Sequence, residues 1–386
     1  MRNKIPIVIA AFSVFLVSMA VVFIYDFHGK NSLSPVTNKG EKWRIGYYEG
    51  GPWIDYRGNL IGIVEGLAEL GWVEKTALPE SRGEADTREL WRWLGENCRS
   101  SYIRFVADAY WSSNWDDDLR RKNKEKALDR LARGNDLDLI VAAGTWAGQD
   151  LATDLHSVPA VVISASNPVQ SGIVRGVEHS GFDHVLAKVD PERHVRQMKL
   201  FHNLVHFQRL GLVYEDTPEG RTYAALNDVR RVAEEEGFEV VACKTDFANL
   251  DVRKAEEGVL QCIEDLAPRI DAFYVTDHRG QTVESVPGIL GPLLRRKVPT
   301  WAQSGSEFVR KGVLFSTTKV EYKEYGLFYA ENIARIFRGE KPGDLNQIFE
   351  DPKSLAINLE TAKKIGFEVP SSLREHANEV YENIDH

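Results

Sequence analysis

Along most of this chain, short unbroken apolar runs alternate with longer stretches in which apolar residues return every three or four positions. The first pattern predicts buried strands and the second amphipathic helices. From Trp43 the series reads strand Trp43–Tyr48, helix from about Gly58 to Leu70, strand Tyr102–Tyr110, helix Leu119–Ala132, strand Leu137–Ala143, helix Thr145–Thr153 and strand Pro159–Ala165. A second series follows Pro168. It runs helix Pro191–Val205, strand Arg209–Tyr214, helix Glu219–Glu236, strand Phe238–Lys244, helix Asp251–Leu266, strand Ala272–Thr276, a helical stretch Thr282–Arg296 and strand Val298–Ala302. Val313–Thr318 opens a last strand, and a long helix Glu321–Arg338 stops at Gly339, with Pro342 just beyond. Runs as nearly apolar throughout as Leu137–Ala143 belong in parallel sheets covered by helices on both faces. Two such series predict two α/β lobes.

Three stretches fall outside the alternation. Ile5–Tyr25 carries no charge and follows Arg2 and Lys4; as a helix its 21 residues span roughly 31 Å, about one hydrocarbon core, with the N-terminus cytoplasmic. Ser18-Met19-Ala20 has the small-x-small form of a cleavage site, but Val21–Ile24 prolong the apolar run, so an uncleaved anchor is favoured over a cleaved signal peptide. Asp26–Lys42 is polar and aperiodic, the composition of a linker. Lys75–Ser100 reads as an insertion whose amphipathic centre, Glu89–Leu94, packs Leu90 and Leu94 inward. Asp116-Asp117-Asp118 reads as a solvated helix start.

Composition narrows the class. Among 386 residues the formal charge is −9, so no basic footprint points to nucleic acid. Cysteine occurs only at 98, 243 and 262. Cys243 and Cys262, a strand end and the following helix, allow one disulfide, but two separate buried thiols are favoured. No cysteine near the N-terminal apolar run is available for lipidation.

Several segments in order resemble one family: Asp138–Thr145, Val158–Val162, Asn167-Pro168-Val169, Gly172-Ile173-Val174, Arg209–Tyr214, Val298-Pro299-Thr300, Phe308–Gly312, Ile357-Asn358-Leu359, Ala362–Gly366 and Val369-Pro370. Together they are similar to the bacterial ABC-transporter substrate-binding proteins of tryptophan/tyrosine type, from Trp43 to about Ile384. The resemblance implies a type I periplasmic-binding-protein fold and capture of a small ligand, often an aromatic amino acid, for an ABC importer. Departures are the missing lipidation cysteine, the 75–100 insertion and the loop Gly50-Gly51-Pro52-Trp53. The expected organisation is residues 1–25 as signal anchor or signal peptide and 26–42 as linker. The first lobe takes 43–168 with about 312–340, and the second 169–311 with about 341–386.

Ligands of parallel α/β sheets sit beyond the carboxyl ends of the strands. Gly144 and Thr145 stand there, where a glycine admits close approach and the first N–H groups of a helix attract a carboxylate; Thr145 serves equally as an N-cap. Ser166 and Asn167 follow the next strand, although Asn167-Pro168 is also a turn signal. From the facing lobe, Asp277 is placed for a ligand ammonium, with Glu215 and Thr217 in the equivalent loop and Ser304 and Ser306 as weaker candidates. Tyr48, Trp53 and Trp146 offer aromatic faces, which also suit a core.

Enzyme motifs are missing: there is no Gly-x-Ser-x-Gly elbow, no His-Glu-x-x-His helix and no phosphate loop with lysine. His202 and His206 are four apart on a helix but lack an acidic third metal ligand nearby. No catalytic residue, metal or cofactor is expected. The partners expected are a small-molecule ligand, the membrane through the N-terminal helix, and an ABC permease. The alternatives are a ligand-sensing domain that signals through a separate membrane partner, and a cryptic enzyme.

Overall fold

The computed structural model describes residues 33–79, 87–245, 251–317, 322–351 and 354–385. The apolar run Ile5–Tyr25 lies outside them, and so do residues 80–86 of the expected insertion. Among the described residues no helix is long and apolar enough to cross a membrane.

Two sheets form two lobes. The first holds five parallel strands in the order β2-β1-β3-β4-β5: β1 (Trp43–Glu49), β2 (Ile103–Ser112), β3 (Leu139–Ala143), β4 (Ala160–Ile163) and β5 (Val185–Ala187). Side chains alternate between its faces. Ile45, Tyr47, Leu139 and Val141 pack under helices α1 (Ile54–Glu69) and α2 (Thr87–Asn97), while Tyr48, Ile140 and Ala142 pack under α3 (Asp117–Arg133) and α4 (Gly144–Leu151). All five β3 residues are buried, which is why that strand reads as one apolar run.

The second sheet has the order β12-β11-β10-β9-β8-β6-β7. Its strands are β6 (Arg209–Glu215), β7 (Glu239–Thr245), β8 (Ala272–Val275), β9 (Thr300–Ala302), β10 (Phe315–Ser316), β11 (Ala356–Asn358) and β12 (Glu379–Tyr381), parallel except for the β10–β11 pair. One face is covered by α5 (Arg193–Val205) and α7 (Leu226–Glu236), the other by α8 (Val252–Leu266) and α9 (Val286–Arg295).

The chain changes lobe later than the expected boundary at Pro168, because β5 extends the first sheet. With three residues, that strand is too short to register as an apolar run. The stretch expected to return to the first lobe also divides: β10 belongs to the second sheet, whereas the helix Tyr322–Phe337 packs on α1. Its approach depends on glycine, since a Cβ on Gly62 would lie 2.2 Å from the Tyr322 carbonyl oxygen. The expected helix Glu219–Glu236 is two helices, α6 (Pro218–Tyr223) and α7, broken where Ala225 adopts φ +49°.

In the 75–100 region Leu90 and Leu94 pack inward as expected: α2 buries them with Trp91 against the first sheet, and the Trp91 indole donates to the Val106 carbonyl at 3.0 Å. Two further expectations change. Residues 33–42 are docked: the indoles of Trp72 and Trp43 donate to the carbonyls of Leu33 and Val36 at 2.9 and 2.8 Å, and Leu33 is buried. Cys243 and Cys262 form a disulfide across a Cα–Cα distance of 5.7 Å, not two separate thiols, because α8 packs over β7. Among the described residues the remaining helices are α10 (Ser306–Arg310), α11 (Tyr322–Phe337), α12 (Leu359–Ile365) and α13 (Ser371–His376).

Candidate ligand site between the lobes

A cleft of about 380 Å³ lies between the lobes and takes its lining from both. That volume falls within the ordinary range for small-molecule sites. Its first wall is built where β3 enters α4. Gly144 has φ +85°, and a Cβ there would fall 1.7 Å from the Tyr56 hydroxyl, so conformation and space both demand glycine. Thr145 and Trp146 follow on the first turn of α4, where Ala143 at the N-cap gives no side-chain hydrogen bond. The initial N–H groups of that helix therefore have no side-chain cap.

Trp146 is fixed from two sides. Trp115 meets it edge-on with ring centroids 5.5 Å apart, and the Arg120 guanidinium lies 4.5 Å over its ring. Arg120 is ion-paired at 3.0 Å with buried Asp150, which also accepts the Tyr48 hydroxyl at 2.9 Å. Tyr48 thus supports Trp146 from behind and does not line the cleft, contrary to expectation: it sits on the face of β1 opposite Tyr47, beneath α3 and α4. Trp53, in the loop after β1, does line the cleft.

At the end of β4, Ser164, Ala165, Ser166 and Pro168 form the next part of the wall. Ser164 has φ +54°, a conformation a serine adopts at a cost. Asn167 points elsewhere: its Oδ1 accepts the Gln170 N–H at 3.0 Å and closes the turn.

The second lobe supplies Glu215, Thr217, Tyr223, Asp277 and Ser304. Thr217 also caps α6, accepting the Gly220 N–H at 3.0 Å. Asp277 accepts a hydrogen bond from the Ser304 hydroxyl, and its own N–H donates to the Gln303 side chain at 3.3 Å. Burial pushes the Asp277 carboxyl up to about 6, against the opposing pull of Ser304 and Arg193. Ser306 is fully buried and does not reach the cleft.

The floor was not legible in the sequence pattern. It is made where the chain crosses between lobes, by Lys188, Asp190 and Arg193 after β5 and by Tyr325 and Tyr329 on α11. Val189 pairs with Ile348 of the returning crossing. Asp351 binds Lys188 at 2.5 Å and Arg193 at 3.0 Å. Although burial opposes it, the charges of Arg193 and Lys188 hold Asp351 well below the usual carboxylate range. The Lys188 ammonium also lies 4.4 Å over the Tyr325 ring. Asp55, in the first turn of α1, lines the cleft and accepts the Tyr322 hydroxyl at 2.8 Å.

Among the described residues, no group of three or more His, Cys, Asp or Glu is arranged to hold a metal. His202 bonds the Phe207 carbonyl through Nε2 at 3.1 Å, and His206 is the left-handed C-cap of α5.

Two α/β lobes of largely parallel strands, joined by crossings and enclosing a lined cleft, make up the type I periplasmic-binding-protein fold. Residues 112–381 match the family described as ABC transporter substrate binding protein, and the chain belongs to that family. The family is extracytoplasmic.

Among curated proteins the chain is similar to a tyrosine-binding protein of Clostridioides difficile (strain R20291), 25% identical over 59% of this chain and 63% of that protein. The match thus spans less than two thirds of the relative. Among solved structures it is similar to an ABC domain from Streptococcus pneumonia in complex with L-Trp, with TM-score 0.65 and 18% identity over 88% of this chain and 100% of the other. It is also similar to the ligand-free, open structure of a substrate-binding protein with adhesive properties from Clostridium difficile, with TM-score 0.59 and 21% identity over the same shares. At these identities the structural likeness concerns the fold.

Proposed function

We propose that this protein captures a small aromatic amino acid outside the cytoplasmic membrane and delivers it to an ABC permease, with Ile5–Tyr25 as its membrane anchor. The observation that carries this reading is the pairing of chemistries across the cleft. The first lobe offers Thr145 and the open N-terminus of α4 for a carboxylate, with Trp53, Trp115 and Trp146 around it; the second offers Asp277 for an ammonium. The names of the tyrosine-binding relative and of the L-Trp complex agree with such a ligand. A ligand gripped by both lobes favours the closed arrangement, the hinge motion known for periplasmic binding proteins.

The test is a thermal-shift panel of L-tryptophan, L-tyrosine, L-phenylalanine, nucleosides and small organic acids, followed by calorimetry of the hits. An aromatic amino acid raises the melting temperature, because a ligand that binds only the native state stabilises it. Stabilisation by a nucleoside or organic acid alone overturns the reading.

A further inference from the structure

Five ionisable groups interact at the junction of the lobes: Asp55, Lys188, Arg193, Asp277 and Asp351. Both cations contact Asp351, at 2.5 and 3.0 Å. The nearby Asp190 is already matched by Arg196 at 2.6 Å. Asp55 and Asp277 differ from Asp351, since their side-chain hydrogen-bond partners among the described residues are the hydroxyls of Tyr322 and Ser304. A hydroxyl satisfies an oxygen but does not neutralise a charge. Arg193 also faces both carboxylates, yet it must serve Asp351 as well. Three carboxylates therefore share two cations, and the cluster is one positive charge short.

The placement of the two hydroxyl-bound carboxylates is specific. Asp55 belongs to α1 of the first lobe and Asp277 follows β8 of the second, and both line the same cleft. Burial raises both above the ordinary carboxylate range, and the charge of Asp55 adds to the rise at Asp277. A desolvated cation between them relieves their repulsion and the cost of their burial together.

We infer that Asp55 is a second ammonium ligand, so that the cationic group of the bound molecule is held jointly by one carboxylate from each lobe. This rests on the reading of the cleft as a site for an amino-acid-like ligand. It deepens that reading by making Asp55 the residue that restricts the site to amines. An ammonium has three donors, enough for both carboxylates at once. A molecule of the same shape without the amine leaves the cluster short of its third cation, and the site rejects it.

The experiment titrates the full-length chain by calorimetry with L-tryptophan and L-tyrosine and with their deaminated analogues, 3-indolepropionate and 3-(4-hydroxyphenyl)propionate. Wild type favours the amino acids. Asp55→Asn weakens the bound amino acid ten- to a hundredfold, the loss expected for a hydrogen bond to a charged group, and leaves the deaminated analogue unchanged or tighter. Tyr322→Phe, which removes the hydroxyl but keeps the carboxylate, preserves the preference for the amine. Asp55→Ser gives the same read-out should the Asn variant not fold. Equal losses for both ligand series, or an undiminished amino-acid affinity in Asp55→Asn, overturn the role of Asp55 and leave the proposed function standing. A wild type that prefers the deaminated acids, or binds neither series, overturns both.

Discussion

The Arg120 guanidinium lies 4.5 Å over the ring of Trp146 while it is ion-paired with Asp150. One buried carboxylate thus orients the arginine that fixes an aromatic wall of the cleft. Asp150→Ala leaves Arg120 without its buried partner and removes the acceptor for Tyr48. The expected cost is about 3 kcal/mol of stability, since breaking one side of a buried pair leaves an uncompensated charge. Urea denaturation of wild type and variant measures it; a loss below about 1 kcal/mol means that solvent and the Gln149 side-chain oxygen, which also accepts from Arg120, suffice for the arginine.

Affinity for an amine ligand should depend on pH through Asp277. Its carboxyl, raised to about 6 in the ligand-free protein, binds an ammonium only when ionised. Affinity is therefore constant above pH 7 and falls as pH drops through 6, by about tenfold at pH 5. The sign for folding is opposite: a raised carboxylate pKa makes this group destabilising above its unfolded value, so its burial cost fades on acidification. Calorimetry from pH 5 to 8 checks the first statement, and a flat profile would sink it.

The fold around these residues was legible to different depths. The continuous apolar run of β3 ending in Gly144 pointed to Thr145 and Trp146, and the same strand-end logic to Asp277; all three line the cleft. Tyr48 failed because, beside the equally aromatic Tyr47, the sequence gives no sign of which face of the strand each occupies. Asp55 was missed because α1 begins at Ile54, four residues before the expected start at Gly58, which turns a loop residue into one on a first helical turn. Lys188, Arg193 and Asp351 lie on crossings between lobes, where position follows from the meeting of distant segments rather than from local periodicity. One signal was available for the α1–α11 contact: Gly58, Gly62 and Gly66 form a four-residue stripe, and Gly326 and Ala330 a matching one.

Gly62→Val tests that contact. The first added carbon already meets the Tyr322 carbonyl oxygen at 2.2 Å, and the helices must separate to admit it. The expected loss is about 2–3 kcal/mol, as for other overpacked sites. A melting temperature within one or two degrees of wild type would show that the helices slide at little cost.

The Cys243–Cys262 disulfide closes a short loop, at a separation of 19 residues, within the second lobe. Its removal by a double Cys→Ser change should cost about 3 kcal/mol through the added freedom of the unfolded chain. Thiol titration in denaturant without reductant should find one reactive group, Cys98. Three reactive groups would exclude the bridge.

Mass measurement of the mature protein tests the proposed anchor: the intact N-terminal segment is expected, and a chain starting near Val21 would exclude retention of the span.

The segment from Leu33 to Lys42 gives the molecule a mechanical polarity. Arg338, just beyond α11, donates to the Ser34 carbonyl at 2.9 Å, and the Trp72 indole grips the carbonyl of Leu33. Any pull arriving from the N-terminal side therefore loads the first lobe at the end of the α1–α11 pair. On the proposed reading, with an N-terminal anchor and a cleft that closes on its ligand, a molecule hung this way has a fixed post and a swinging gate. The gate is then the half that carries Asp277, and the proposed permease, positioned over the post, meets that half in a different attitude before and after the cleft fills.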